Sequence, residues 1–161
     1  MGIDQDLFRA AMGQLASGIT VVTVHVEGED HGFTASSFTS LSLEPALVLV
    51  CVMRDTRSHL LIEQAGHYAV SILAGAQQEI GQRFADALIV DRFEGLALER
   101  AASGARLIPN SLAWVDCALR DVLPGGDHSI FVGEVIAGFA SERTDALVYH
   151  DRHWGRFVSE P

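Results

Sequence analysis

Apolar and polar positions divide the chain into short segments. Phe8, Ala11, Met12 and Leu15 recur at helical spacing behind Asp4 and Asp6, which predicts an N-terminal helix with Gly18 as its stop. Ile19–Val26 is rich in β-branched residues and reads as a strand. The turn Glu27-Gly28-Glu29-Asp30 joins it to a hairpin partner over His31–Phe38. Ala46–Met53, entered through Pro45, is a continuous apolar run and predicts a strand buried on both faces. Helical spacing returns over Arg57–Ala65, ended by Gly66, and over Ala76–Ala85, where Ile80 and Phe84 are four apart. His67–Leu73 lies between them as a strand. Residues 86–111 show little pattern and read as mostly loop. Leu112–Val122 and Ser129–Phe139 form two strands about the turn Leu123-Pro124-Gly125-Gly126-Asp127, and Ala146–His150 with His153–Val158 closes the series as a hairpin.

The sum is about six or seven mostly antiparallel strands with two or three short helices. Hairpin connections with an interrupted strand order predict a mainly β (α+β) fold, a closed or split β-barrel, with an open α+β sheet as the alternative. The 161 residues are read as a single domain over 1–161 with a substantial core.

Composition then narrows the function. The net charge is −10 and all 11 basic residues are arginine. An acidic surface argues against nucleic acid or an anionic membrane as partner, and any phosphate-binding cation must be arginine or histidine. Cys51 and Cys117 each lie in an apolar run and read as buried thiols of a reducing, cytoplasmic compartment. No Cys/His spacing suits zinc, so no metal is expected. The acidic N-terminus does not resemble a signal peptide, and the longest apolar run is far below the roughly 20 residues of a membrane span.

Two segments carry candidate chemistry. Thr34, Ser36, Ser37, Thr39, Ser40 and Ser42 form a hydroxyl run, which fits an edge strand or solvated loop as well as an anion site. The strand beside it delivers Arg54, Thr56, Arg57 and Ser58 at the start of a helix, a place favourable to anions. Downstream, His128 sits in a Gly-Asp turn before a strand, which leads to Gly133, where a ring or backbone can approach closely. His150 and His153 read as a charged turn, and Trp114 and Trp154 as core or interface residues. There is no GxGxxG, no phosphate-binding P-loop and no GxSxG elbow.

The order Ser17-Gly18-Ile19-Thr20-Val21-Val22-Thr23, Gly32-Phe33-Thr34-Ala35-Ser36-Ser37-Phe38, Leu41-Ser42-Leu43-Glu44-Pro45-Ala46-Leu47 and Gly126-Asp127-His128-Ser129-Ile130-Phe131-Val132-Gly133 resembles the flavin reductase family. Its members are the small reductase components of two-component flavin monooxygenases. The resemblance spans roughly residues 6–157. It implies a split-barrel flavin-binding fold, a homodimer with flavin near the subunit interface, and reduction of FMN or FAD by NADH or NADPH. A separate oxygenase component would receive the reduced flavin. It places Thr34, Ala35, Ser36, Ser37, Phe38 and Thr39 against the flavin. Cys51, Val52, Met53, Arg54, Ser58 and His59 are assigned to the ring edge and phosphate. Phe84 borders the flavin and His128, the catalytic candidate, lies by the nicotinamide. Met53-Arg54-Asp55-Thr56-Arg57 departs from the Asn-plus-serine pattern common there, which leaves the phosphate ligands open. Backbone N–H groups near Ser36–Thr39 would meet negative charge on the reduced ring. Two alternatives stand beside this reading: a flavin- or haem-binding carrier or sensor without turnover, and an oxidase of a phosphorylated pyridine. The absence of a dense basic cluster counts against the second and favours NADH over NADPH.

Overall fold

The computed structural model describes residues 2–158. Helix α1 (Gln5–Gly13) precedes β1 (Ser17–Gly18), β2 (Thr20–Val26), β3 (Glu29–Ala35), β4 (Thr39–Ser42) and β5 (Leu47–Met53). Then follow α2 (Arg57–Ala65), β6 (His67–Ile72), a 3-10 turn (Gly75–Gln77) and α3 (Gln78–Ala85). The remainder is β: β7 (Glu99–Arg100), β8 (Arg106–Leu107), β9 (Ala113–Gly125), β10 (His128–Ala140), β11 (Leu147–His150) and β12 (His153–Arg156).

Seven strands form one antiparallel sheet in the order β3-β2-β6-β9-β10-β5-β4. Its two edges are consecutive in the chain. Laid flat, six inter-strand spacings would part β3 from β4 by ~29 Å. The link from Ala35 to Thr39 can span only ~14 Å. The sheet must therefore curl until its edges approach, while β3 and β4 remain unpaired. This is the mainly β split barrel anticipated from the hairpin pattern. The long β9–β10 hairpin turns at Gly126-Asp127, and Gly126, at φ 78°, occupies the first loop position where a two-residue turn needs a positive φ.

The barrel core joins Val22, Val24, Val50, Val52, Tyr68, Val70 and Phe131, with Ile62 of α2 inserted among them. Alternation explains the strands: Val48, Val50 and Val52 face this core. Leu47, Leu49 and Cys51 are only half-buried, so β5 buries one face and not two as its apolar run suggests. The run carries no polar partner residue to mark its outer side. A second cluster packs Ile19, Val21 and Leu73 against Phe84 of α3, with Phe93 and Trp154 on its margin. Cys117 is buried, and burial with Asp116 beside it pushes its thiol up to about 12. Cys51 is not a buried thiol.

Two further readings are corrected. The first helix stops at Gly13, with Gln14 as its C-cap, and Gly18 lies in β1 opposite Val148. Asp4 caps it as expected, accepting from the N–H groups of Asp6 and Leu7. However, α1 buries no residue, and Leu7, Phe8 and Met12 are exposed. In the 86–111 segment the pattern missed the β7–β8 hairpin. Long-range charge holds it: Arg100 and Arg106 both donate to the Asp30 carboxylate, which His25 also meets. Burial opposes ionisation there, yet these hydrogen bonds keep the Asp30 carboxyl below its usual range. No helix among the described residues is long and apolar enough to cross a membrane.

Candidate functional site

A cleft of 780 Å³ opens where the Ser36–Phe38 link, the end of β5, the start of α2 and the end of α3 converge. Ser36–Phe38 lies between the paired stretches that end at Ala35 and resume at Thr39, so this backbone has no ladder partner. The seam of the split barrel therefore offers peptide N–H groups that the sheet does not use.

Each wall has a physical reason to stand where it does. Ser37 Oγ donates to the Cys51 carbonyl (3.0 Å) and accepts from the Cys51 N–H (3.2 Å), fastening the link to β5. Thr34 Oγ1 donates to the Gly81 carbonyl at 2.6 Å, which ties β3 to α3. Thr56 caps α2, accepting from the His59 N–H. His128 opens β10 opposite Met53 of β5, and its Nδ1 lies 2.7 Å from Asp127 Oδ1. The hydrogen bond from His128 holds the Asp127 carboxyl below its usual range. With Nδ1 engaged, Nε2 is the ring nitrogen left over, and the imidazole is 37% exposed.

Among the expected cofactor contacts, Thr34, Ala35, Ser36 and Ser37 line this cleft, as do Cys51, Val52 and Met53. Ser58, Phe84 and the catalytic candidate His128 line it too. Four do not. Phe38 packs against the barrel core and Thr39 lies exposed on the edge strand β4. His59 turns beneath the cleft, 2.8 Å from Ser129 Oγ and edge-on to Phe131. Arg54 lines a separate groove with His59, Glu63 and Asp127.

Arg57, offered by the sequence as an anion contact, lines the cleft, and so do Arg92 and His31, which the sequence did not single out. Arg92 arrives from the unpatterned 86–111 segment, anchored by the carbonyls of Gly32 and Asp86. Arg57 pairs with Glu29. His31 Nε2 lies 2.8 Å from Ser58 Oγ, and its ring faces Phe33 with centroids 6.4 Å apart. Burial first, then the charges of Arg92 and Arg57, push the His31 imidazole down to about 4. The cleft thus has a cationic end built on a neutral histidine. The His150–His153 turn belongs to a different groove, and no cluster of metal-ligating side chains occurs among the described residues.

A depressed histidine has a stability consequence of defined sign. Between about pH 4 and its ordinary value of 6.5 the unfolded chain holds more protons at this position, so stability is lost as pH falls through that window. Thermal melts should show a smaller drop in Tm between pH 7 and pH 5 for His31→Gln than for the parent. An equal drop would mean that the ring is not held neutral.

Residues 12–157 match the model of the flavin reductase like domain. The chain is 38% identical over 160 residues to an actinorhodin polyketide dimerase of Streptomyces coelicolor, covering 99% of this chain and 90% of that protein. It is 39% identical over 154 residues to the reductase subunit HsaB of a flavin-dependent monooxygenase from Rhodococcus jostii, covering 95% and 78%. It superposes with a TM-score of 0.91 on a Streptomyces globisporus NADH:FAD oxidoreductase solved with NAD and FAD fragments, at 37% identity over 96% of this chain and 93% of that one.

Proposed function

The chain belongs to the flavin reductase like family, and on that premise we propose that it is an NAD(P)H:flavin oxidoreductase that supplies reduced flavin to a separate oxygenase component. One observation carries the reading. A single 780 Å³ cleft gathers an unpaired hydroxyl-rich backbone, an arginine-lined end and a positioned imidazole.

The residues suit the group they would hold. A flavin mononucleotide or dinucleotide needs a flat slot with N–H donors at one end and cations at the other. Ser36, Ser37, Cys51 and Met53 would take the ring, and Arg57, Ser58 and Arg92 the phosphate. Bound flavin supplies the chemistry, accepting hydride from the reduced nicotinamide. The protein supplies orientation and charge complementarity. The Ser36–Phe38 N–H groups would face the ring where negative charge is to be held, and His128 Nε2 would accept from an amide donor on the nicotinamide side.

A homodimer fits the outer surface. A nine-residue helix that buries nothing in its own chain is marginal in water, so α1, with Leu7, Phe8 and Met12 exposed, calls for a covering partner. The half-buried outer side of β5 is a further apolar face.

Purified protein is expected to oxidise NADH or NADPH only when FMN, FAD or riboflavin is added, followed as loss of the reduced-nicotinamide absorbance. Flavin binding without any oxidation would replace the enzyme reading with that of a carrier or sensor.

A further inference from the structure

His31 lines the same cleft from β3, between Arg57 at the start of α2 and Arg92 of the 86–111 segment. Its own strand adds Glu29, which favours the charged ring and is paired with Arg57; across the ladder its neighbour is Val24, which carries no charge. The remaining polar contact is Ser58 Oγ at Nε2, 2.8 Å away. A hydroxyl donates to a neutral imidazole and accepts from a protonated one equally well. The ring can therefore gain a proton without losing that hydrogen bond.

We infer that His31 couples flavin binding to proton uptake: the imidazole becomes protonated when the phosphate-bearing part of the flavin enters the cleft between Arg57 and Arg92. The inference rests on the flavin reading of this cleft. In the free protein, two guanidinium charges and burial all disfavour a third cation. An incoming diphosphate offsets the two arginine charges and adds an attraction of its own. The anion thereby reverses the electrostatic balance at His31, and one neutral histidine becomes a third cationic contact for it. Affinity for phosphorylated flavins then depends on pH, whereas riboflavin, with no phosphate, does not engage the device.

The test is calorimetric titration of the oxidised protein with FAD and with riboflavin between pH 6 and pH 8, in buffers of different ionisation enthalpy. FAD is the probe because its diphosphate keeps both charges over this range. The parent protein should take up protons with FAD and none with riboflavin. Half a proton taken up corresponds to about threefold tighter FAD binding per pH unit of acidification. His31→Gln, which keeps a hydrogen-bonding group for Ser58, should bind FAD with no uptake and a flat pH profile. FAD binding without proton uptake in the parent, or uptake that persists in His31→Gln, overturns the inference and leaves the flavin site standing. Riboflavin binding without FAD binding overturns it by showing that no anion is seated here. Failure of both flavins to bind refutes the reading of the cleft itself.

Discussion

His128→Ala is expected to lower kcat/KM for NADH by about a hundredfold, the scale of a lost orienting contact, with flavin affinity changed less than about twofold. The asymmetry follows from where the ring sits. His128 is the first residue of β10, locked between Gly125 on one side and Met53 on the other. Asp127 holds Nδ1 at 2.7 Å and so fixes the ring orientation. The contacts assigned to flavin come from other elements: the Ser36–Phe38 link, the end of β5, and the Arg57–Arg92 end. Removing the imidazole deletes none of them. Stopped-flow reduction and equilibrium flavin binding measured on the same variant separate the two effects. Parallel loss of flavin affinity and turnover would place His128 in the flavin site and end its assignment to the nicotinamide.

The sequence made the barrel legible because its signals are local. Val21, Val22 and Val24 announce β2, and the Gly126-Asp127 loop announces its hairpin without reference to the rest of the molecule. What escaped depends on contacts between distant segments. Arg54 and Arg57 are three residues apart with the same chemistry. Only the fold shows Arg54 lining the groove beside Asp127 and Arg57 lining the cleft. Arg92 was unreadable because its segment is positioned by carbonyls of Gly32 and Asp86 and not by an apolar pattern. His31 did carry a signal: strand alternation puts it on the same face as Phe33, beside the hydroxyl run. His59 misled for the opposite reason. It follows Ser58 directly, but one step along a helix turns the side chain by about 100°, away from the cleft and onto Ser129.

Gly133→Ala should destabilise the protein by about 1–3 kcal/mol, the range of forced overpacking, and lower Tm by roughly 3–12 °C. The sequence marks Gly133 only as a point of close approach; the approaching group is Tyr68. A methyl at Gly133 would come within 2.8 Å of both the Tyr68 ring carbon Cζ and Cys117 Cβ. Neither neighbour can retreat, because both are fully buried in the barrel core. The Tyr68 hydroxyl also donates to the Phe131 carbonyl at 3.3 Å, two residues along the same strand. The strand cannot shift either, since Gly133 is laddered to Leu119 and to Val48. Stability should therefore fall while the folded fraction keeps its turnover, because the cleft lies at the His128 end of β10. A double-mutant cycle isolates the cause: in a Tyr68→Leu background the cost of Gly133→Ala should shrink well below its cost in the parent. Strict additivity of the two changes would show that the ring is not what requires glycine at this position.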